Sequence, residues 1–111
     1  MSITQNNHLD ASIISHWDHD LTNLEHHNLD REALGFQPHP WAIGVRWDNG
    51  YVCYDTGRSL EEYRTFARKE FSKNSQIIEI RIYGWVDADK FEGWEWFNRY
   101  PDGWGETGLR M

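Results

Sequence analysis

The chain is poor in cysteine, proline and positive charge: one Cys, three Pro, and eleven Lys or Arg among 111 residues. Each scarcity excludes something. A lone Cys53 cannot close an internal disulfide, and small secreted domains lean on such bridges, so a reducing cytosol is the expected compartment. No apolar run reaches the roughly 20 residues that a membrane helix needs. No basic segment leading into an apolar one opens the chain, so the expectation is a protein neither exported nor anchored. A Gly-rich phosphate cradle is missing, Gly103-x-Gly105 being too little to count, and no Ser/His/Asp ordering is present.

What the chain does have is aromatic surface: seven Trp, five Tyr and five Phe. Such side chains bury large areas, so one core can offset the entropy of ordering the chain despite its polar average. A second domain would leave each half with a marginal core.

Eighteen acids give a net charge of −7, and its distribution is uneven. Residues 1–40 carry Asp10, Asp18, Asp20, Glu25, Asp30 and Glu32 against one base, Arg31. All six histidines (His8, His16, His19, His26, His27 and His39) fall in the same stretch. A surface of this sign repels nucleic acid and membrane and attracts basic proteins.

The apolar residues Ile13, Ile14, Trp17, Leu21 and Leu24 recur every three or four positions, which predicts a helix capped by Asp10. His26-His27-Asn28 reads as a break, followed by a short second helix over Leu29–Leu34 with Gly35 as its stop. Gln37-Pro38-His39-Pro40 is a stiff extended link. From Trp41 to Trp47 large side chains alternate as in a strand, and Asp48-Asn49-Gly50 predicts a hairpin returning through Tyr51–Asp55. Ser59-Leu60-Glu61-Glu62 is a capping box for a helix to about Lys73, with Leu60, Tyr63, Phe66, Ala67 and Phe71 inward. Ile77–Trp85 is a strand with Ile78, Ile80 and Ile82 on one face and a solvated face of Glu79, Arg81 and Tyr83. Trp94-Glu95-Trp96 alternates like a last strand, and Pro101-Asp102-Gly103 is a turn. The expected architecture is α+β, order ααββαβ(β): a small, mainly antiparallel sheet with helices on one face. Residues 1–40 would form an acidic, His-rich helical arm on a compact domain of residues 41–111, one domain overall.

Three groups of residues invite a chemical reading. His16-x-x-His19 with Asp20 could turn two imidazoles and a carboxylate toward one metal ion. Cys53, in mid-strand with every histidine before residue 40, reads as a buried small side chain rather than a nucleophile. Phe91, Trp94, Trp96, Phe97, Tyr100 and Trp104, interleaved with Glu92, Glu95 and Asp102, include more large rings than one core can take. Tryptophan and tyrosine dominate binding hot spots, and acids beside them suit a basic partner. The expected contact residues are therefore Asp10, Asp18, Asp20, Glu25, Trp94, Glu95, Trp96, Tyr100 and Trp104. No cofactor and no catalytic residue is expected.

Small, acidic, aromatic-rich domains without a catalytic motif are similar in composition and size to several inhibitor classes. These are phage-encoded antagonists of bacterial defence (anti-CRISPR proteins among them), nucleic-acid mimics, and immunity proteins that neutralise a toxin. The expectation is a binder that blocks a basic protein surface, such as the nucleic-acid channel of a nuclease, without itself binding nucleic acid or membrane. An immunity protein, or a small His-dependent metal module or enzyme, is the alternative.

Overall fold

The alternating segment after Pro40 forms strand β1 (Trp41–Trp47), and the chain returns as β2 (Val52–Thr56). Gly50 takes φ +91° in the reversal, a conformation that favours glycine. Its N–H donates to the Trp47 carbonyl while Trp47 N–H donates to the Tyr51 carbonyl, so the loop is wider than a two-residue turn. Helix α2 (Leu60–Lys73) begins with the reciprocal cap: the Ser59 hydroxyl accepts the Glu62 amide at 3.1 Å, and the Glu62 carboxylate accepts the Ser59 amide at 2.9 Å. Strands β3 (Ile77–Trp85) and β4 (Phe91–Asn98) follow. This computed structural model describes residues 11–86 and 89–100, with backbone only for residues 11–13.

The four strands make one antiparallel sheet in the order β2-β1-β3-β4, and the fold is α+β as expected. The connection through α2 crosses over β1, so β3 runs parallel to β2 and pairs antiparallel with β1 on its other side. Ile43 then lies opposite Ile82 and Val45 opposite Ile80, with Phe97 of β4 opposite Ile80 on its other side. These residues share a face with Cys53 and are covered by Tyr63, Phe66 and Ala67 of α2. Each large apolar side chain buried there contributes about 1.5–3 kcal/mol. Ile14 and Trp17 enter the same cluster, the Trp17 ring meeting Phe66 at 5.6 Å between centroids. The N-terminal segment thus shares the core of the strands. Between Ile82 and Tyr83 the β3–β4 register shifts: Glu95 pairs with Ile82 and Gly93 with Tyr83, and Trp94 is left in the bulge.

The first helices differ from the sequence expectation. A short 3-10 helix spans Ala11–His16, the chain then runs extended, and a single helix α1 covers Leu21–Ala33. Its cap is Asp20, whose carboxylate accepts the Thr22 amide at 2.9 Å; Asp10 lies outside the described residues. The break falls at Trp17–Asp20 because Asp18 pairs as a bridge with Tyr54, each amide donating to the other's carbonyl. The His26-His27-Asn28 step does not break the helix. Asn28 is buried and its side-chain amide closes two bonds with the His39 backbone, so its polar group is satisfied without interrupting α1. Gly35, at φ +88°, follows the helix as expected.

Candidate functional site

The face of the sheet opposite α2 is not the simple solvated surface that alternation suggests. Glu79, in the centre of β3, is only 5% exposed. Its carboxylate accepts Arg46 Nε at 3.0 Å on one oxygen and Arg81 Nε at 2.8 Å on the other, and the Trp96 indole N–H also donates to it. Arg46 comes from β1, Arg81 from β3 and Trp96 from β4, so the register of three strands assembles the cluster. The Arg81 guanidinium lies over the Trp96 ring, 3.7 Å from its centroid. Burial would raise the Glu79 carboxyl, but the bonds from Trp96, Arg81 and Arg46 outweigh it and hold the group below the usual glutamate range.

Two tyrosines complete this face. Tyr54 of β2 and Tyr83 of β3 meet edge to face, 6.2 Å apart, above Gly44. A Cβ at Gly44 would stand 2.6 Å from Tyr54 Cε1, so the glycine makes room for the ring. Arg46, Glu79, Arg81, Tyr54 and Tyr83 were not among the expected site residues. The signal available in the sequence was the shared parity of Glu79, Arg81 and Tyr83; the partners on β1, β2 and β4 depend on register.

A second feature is a broad groove of about 640 Å³ between the N-terminal segment, α1 and β2. His16, His19, His27 and His39 line it with Asp18 and Asp55. His27 and His39 stack at 5.4 Å. Burial, then the charges of Arg31 and His27, lower the His39 pKa. Burial raises the Asp55 carboxyl although Tyr63 Oη donates to it at 2.6 Å, and the Tyr63 phenol is itself raised. His16, His19 and Asp20 do not gather: Asp20 serves as the α1 cap, and among the described residues no three His, Cys, Asp or Glu side chains come together as a metal site. Burial pushes the Cys53 thiol up to about 11, away from the thiolate form that nucleophilic chemistry uses.

The expected contact residues that the structure describes divide into three kinds. Asp18, Asp20 and Glu25 are spent partly on the chain itself. Asp18 accepts the Asp20 amide and the Asn23 side chain, and Glu25 accepts the Phe91 amide at 2.8 Å, joining α1 to the start of β4. Glu95 is 2% exposed and holds Arg64 of α2 through two bonds, while Trp96 is half-buried in the Glu79 cluster. Trp94, 38% exposed with its ring edge against Trp41, and Tyr100, 50% exposed, present aromatic surface. Asp10 and Trp104 lie outside the described residues.

No family model, curated protein or solved structure matches the chain. No helix among the described residues is long and apolar enough to cross a membrane.

Proposed function

We propose that the protein is a stoichiometric binder that occupies a basic protein surface, such as the nucleic-acid channel of a nuclease. The observation that supports this most is how the chain uses its charges. Arg31, Arg46, Arg58, Arg64, Arg81 and Arg99 are each tied to a carboxylate or carbonyl of the chain itself. The exposed cations Arg68, Lys69 and Lys73 sit together on α2. Between Asp18 and Glu32, by contrast, the sequence holds five acids and one base, Arg31, and Asp20, Asp30 and Glu32 are exposed. Glu25 brings this acidic helix beside the strand that carries Trp94. Carboxylates there would stand in for phosphates, with Trp94 and Tyr100 as the apolar anchor. Toxin neutralisation would use the same chemistry.

Capture from a lysate of the source organism tests this reading, comparing the wild type with the double variant Asp30→Lys/Glu32→Lys. Lysine suits the C-terminal turn of α1, so the variant should fold. The expected result is a captured protein with a basic surface, released by salt and not retained by the variant. Capture indifferent to both salt and charge reversal would refute the proposal.

A further inference from the structure

We infer that the open face of the sheet is a binding site for a small planar anion, a ring bearing a phosphate or carboxylate, held by Arg81 and Arg46 with Tyr83 beside the ring. This site is separate from the acidic surface of α1, and the inference does not depend on that reading.

Three observations carry it. The first is cost. A carboxylate buried under two arginines is not the cheapest way to finish an exposed sheet face, since removing these ions from water costs much of what their attraction returns. The arrangement does, however, fix the two guanidiniums. Each donates its Nε to Glu79, yet the Arg46 and Arg81 side chains remain 38% and 39% exposed. Arginines already held in position lose less freedom when an anion arrives.

The second is space. A cavity of about 370 Å³ is lined by Arg81, Tyr83, Glu92, Gly93, Glu95 and Trp96. It adjoins a smaller hollow of about 60 Å³, which shares Arg81 and Tyr83 and adds Arg46 and Tyr54. The larger volume falls within the roughly 300–1,000 Å³ typical of small-ligand sites. Gly93 leaves it open, with nothing near the position a Cβ would take.

The third is chemistry. Among the described residues, two guanidiniums stand against the one carboxylate of Glu79. Of the other acids at the cavity, Glu92 is countered by Lys90 at 3.3 Å, and the Glu95 carboxylate is turned to the α2 side, where Arg64 holds it at 2.9 Å. An anion is therefore favoured over a cation. Flat groups dominate: the Arg81 guanidinium stacked on Trp96, and the Tyr54 and Tyr83 rings beside it. A planar ligand extends such a stack. The net charge of −7 opposes a long polyanion, so the ligand is a small molecule.

Titration of ¹⁵N-labelled protein, followed at the Trp96 indole N–H and the arginine Nε–H resonances, tests the site. Adenosine monophosphate and 4-hydroxybenzoate are the probes and separate a phosphate source from a carboxylate one. Saturable shifts of these resonances are expected with at least one probe. Arg81→Gln should weaken that binding about tenfold or more, as loss of a charged hydrogen bond does. Lys69→Gln, on α2, should leave it unchanged. If Arg81→Gln does not fold, Arg46→Gln takes its place, and the wild-type shift map stands by itself. Absence of shifts with both probes at millimolar concentration would overturn the inference. So would full affinity in a folded arginine variant.

Discussion

Glu95 and Glu79 are both buried carboxylates of one sheet, on neighbouring strands and opposite faces, and they do different work. Glu95 points toward α2, where Arg64 donates to both of its oxygens at 2.9 and 3.1 Å; the pair fastens a helix to a strand. Glu79 gathers donors from β1, β3 and β4, none from a helix. What it orders is the surface itself. A buried charge beneath a helix is spent on architecture, whereas one on the face away from α2 arranges cations that remain partly exposed. The apolar residues follow the same division, with the aliphatic and aromatic core on the α2 side and tyrosines over a glycine on the other.

If that division is right, stability resides chiefly on the covered face. Phe66→Ala should cost about 3–5 kcal/mol, because it opens a cavity between Trp17 and the strands. Urea unfolding measures it. A loss no larger than that of the open-face variants would mean that stability does not reside chiefly on the covered face.

The open face is tested next by overfilling. Gly44→Val should destabilise by about 1–3 kcal/mol, because the new Cβ meets the Tyr54 ring and strand pairing on both sides prevents retreat. Its specific signature is loss of the Tyr54–Tyr83 edge contact, visible in ring proton shifts. Retention of those shifts would show that the rings are not seated on the glycine. Trp96→Phe is gentler. It keeps a ring beneath Arg81 but removes the indole donor from Glu79, at a cost of about 1 kcal/mol, read from the same unfolding curves.

The contrast between the faces also explains what could be read from the chain alone. The β1–β2 hairpin, the Ser59–Glu62 cap, α2 and the Ile80–Ile82 alternation are local signals, complete within a few residues; the core cluster takes Ile77 rather than Ile78, where the β1–β3 register shifts. The N-terminal helices differ from the sequence expectation because the apolar spacing of Ile14, Trp17, Leu21 and Leu24 continues unbroken across Asp18–Asp20. Only the pairing of Asp18 with Tyr54, 36 positions on, interrupts it. Asn28 looks like a breaker until His39 is beside it. Glu79 and Glu95 look solvated because charged residues alternating with isoleucine or tryptophan usually are. Their partners Arg46, Trp96 and Arg64 lie 33, 17 and 31 residues away, and a single bulge at Trp94 decides which way Glu95 points.

The smallest expected effect is a slope, and it belongs to Glu79. Unfolded, this carboxyl titrates in the usual glutamate range, about 4.3. Folded, burial opposes ionisation, but the three donors prevail and hold the group lower. Above the unfolded value both states are ionised and the cluster contributes its full stabilisation. As the pH falls from there through the lower folded value, the unfolded chain takes up the proton first, so stability is lost progressively in that acid window. Glu79→Gln should flatten this limb of a stability–pH curve while leaving the slope near neutrality unchanged, where His39 contributes through its own lowered pKa. An unchanged acid limb in Glu79→Gln would mean that the three donors do not favour the carboxylate over its protonated form. The ordered arginines of the open face would then need another cause.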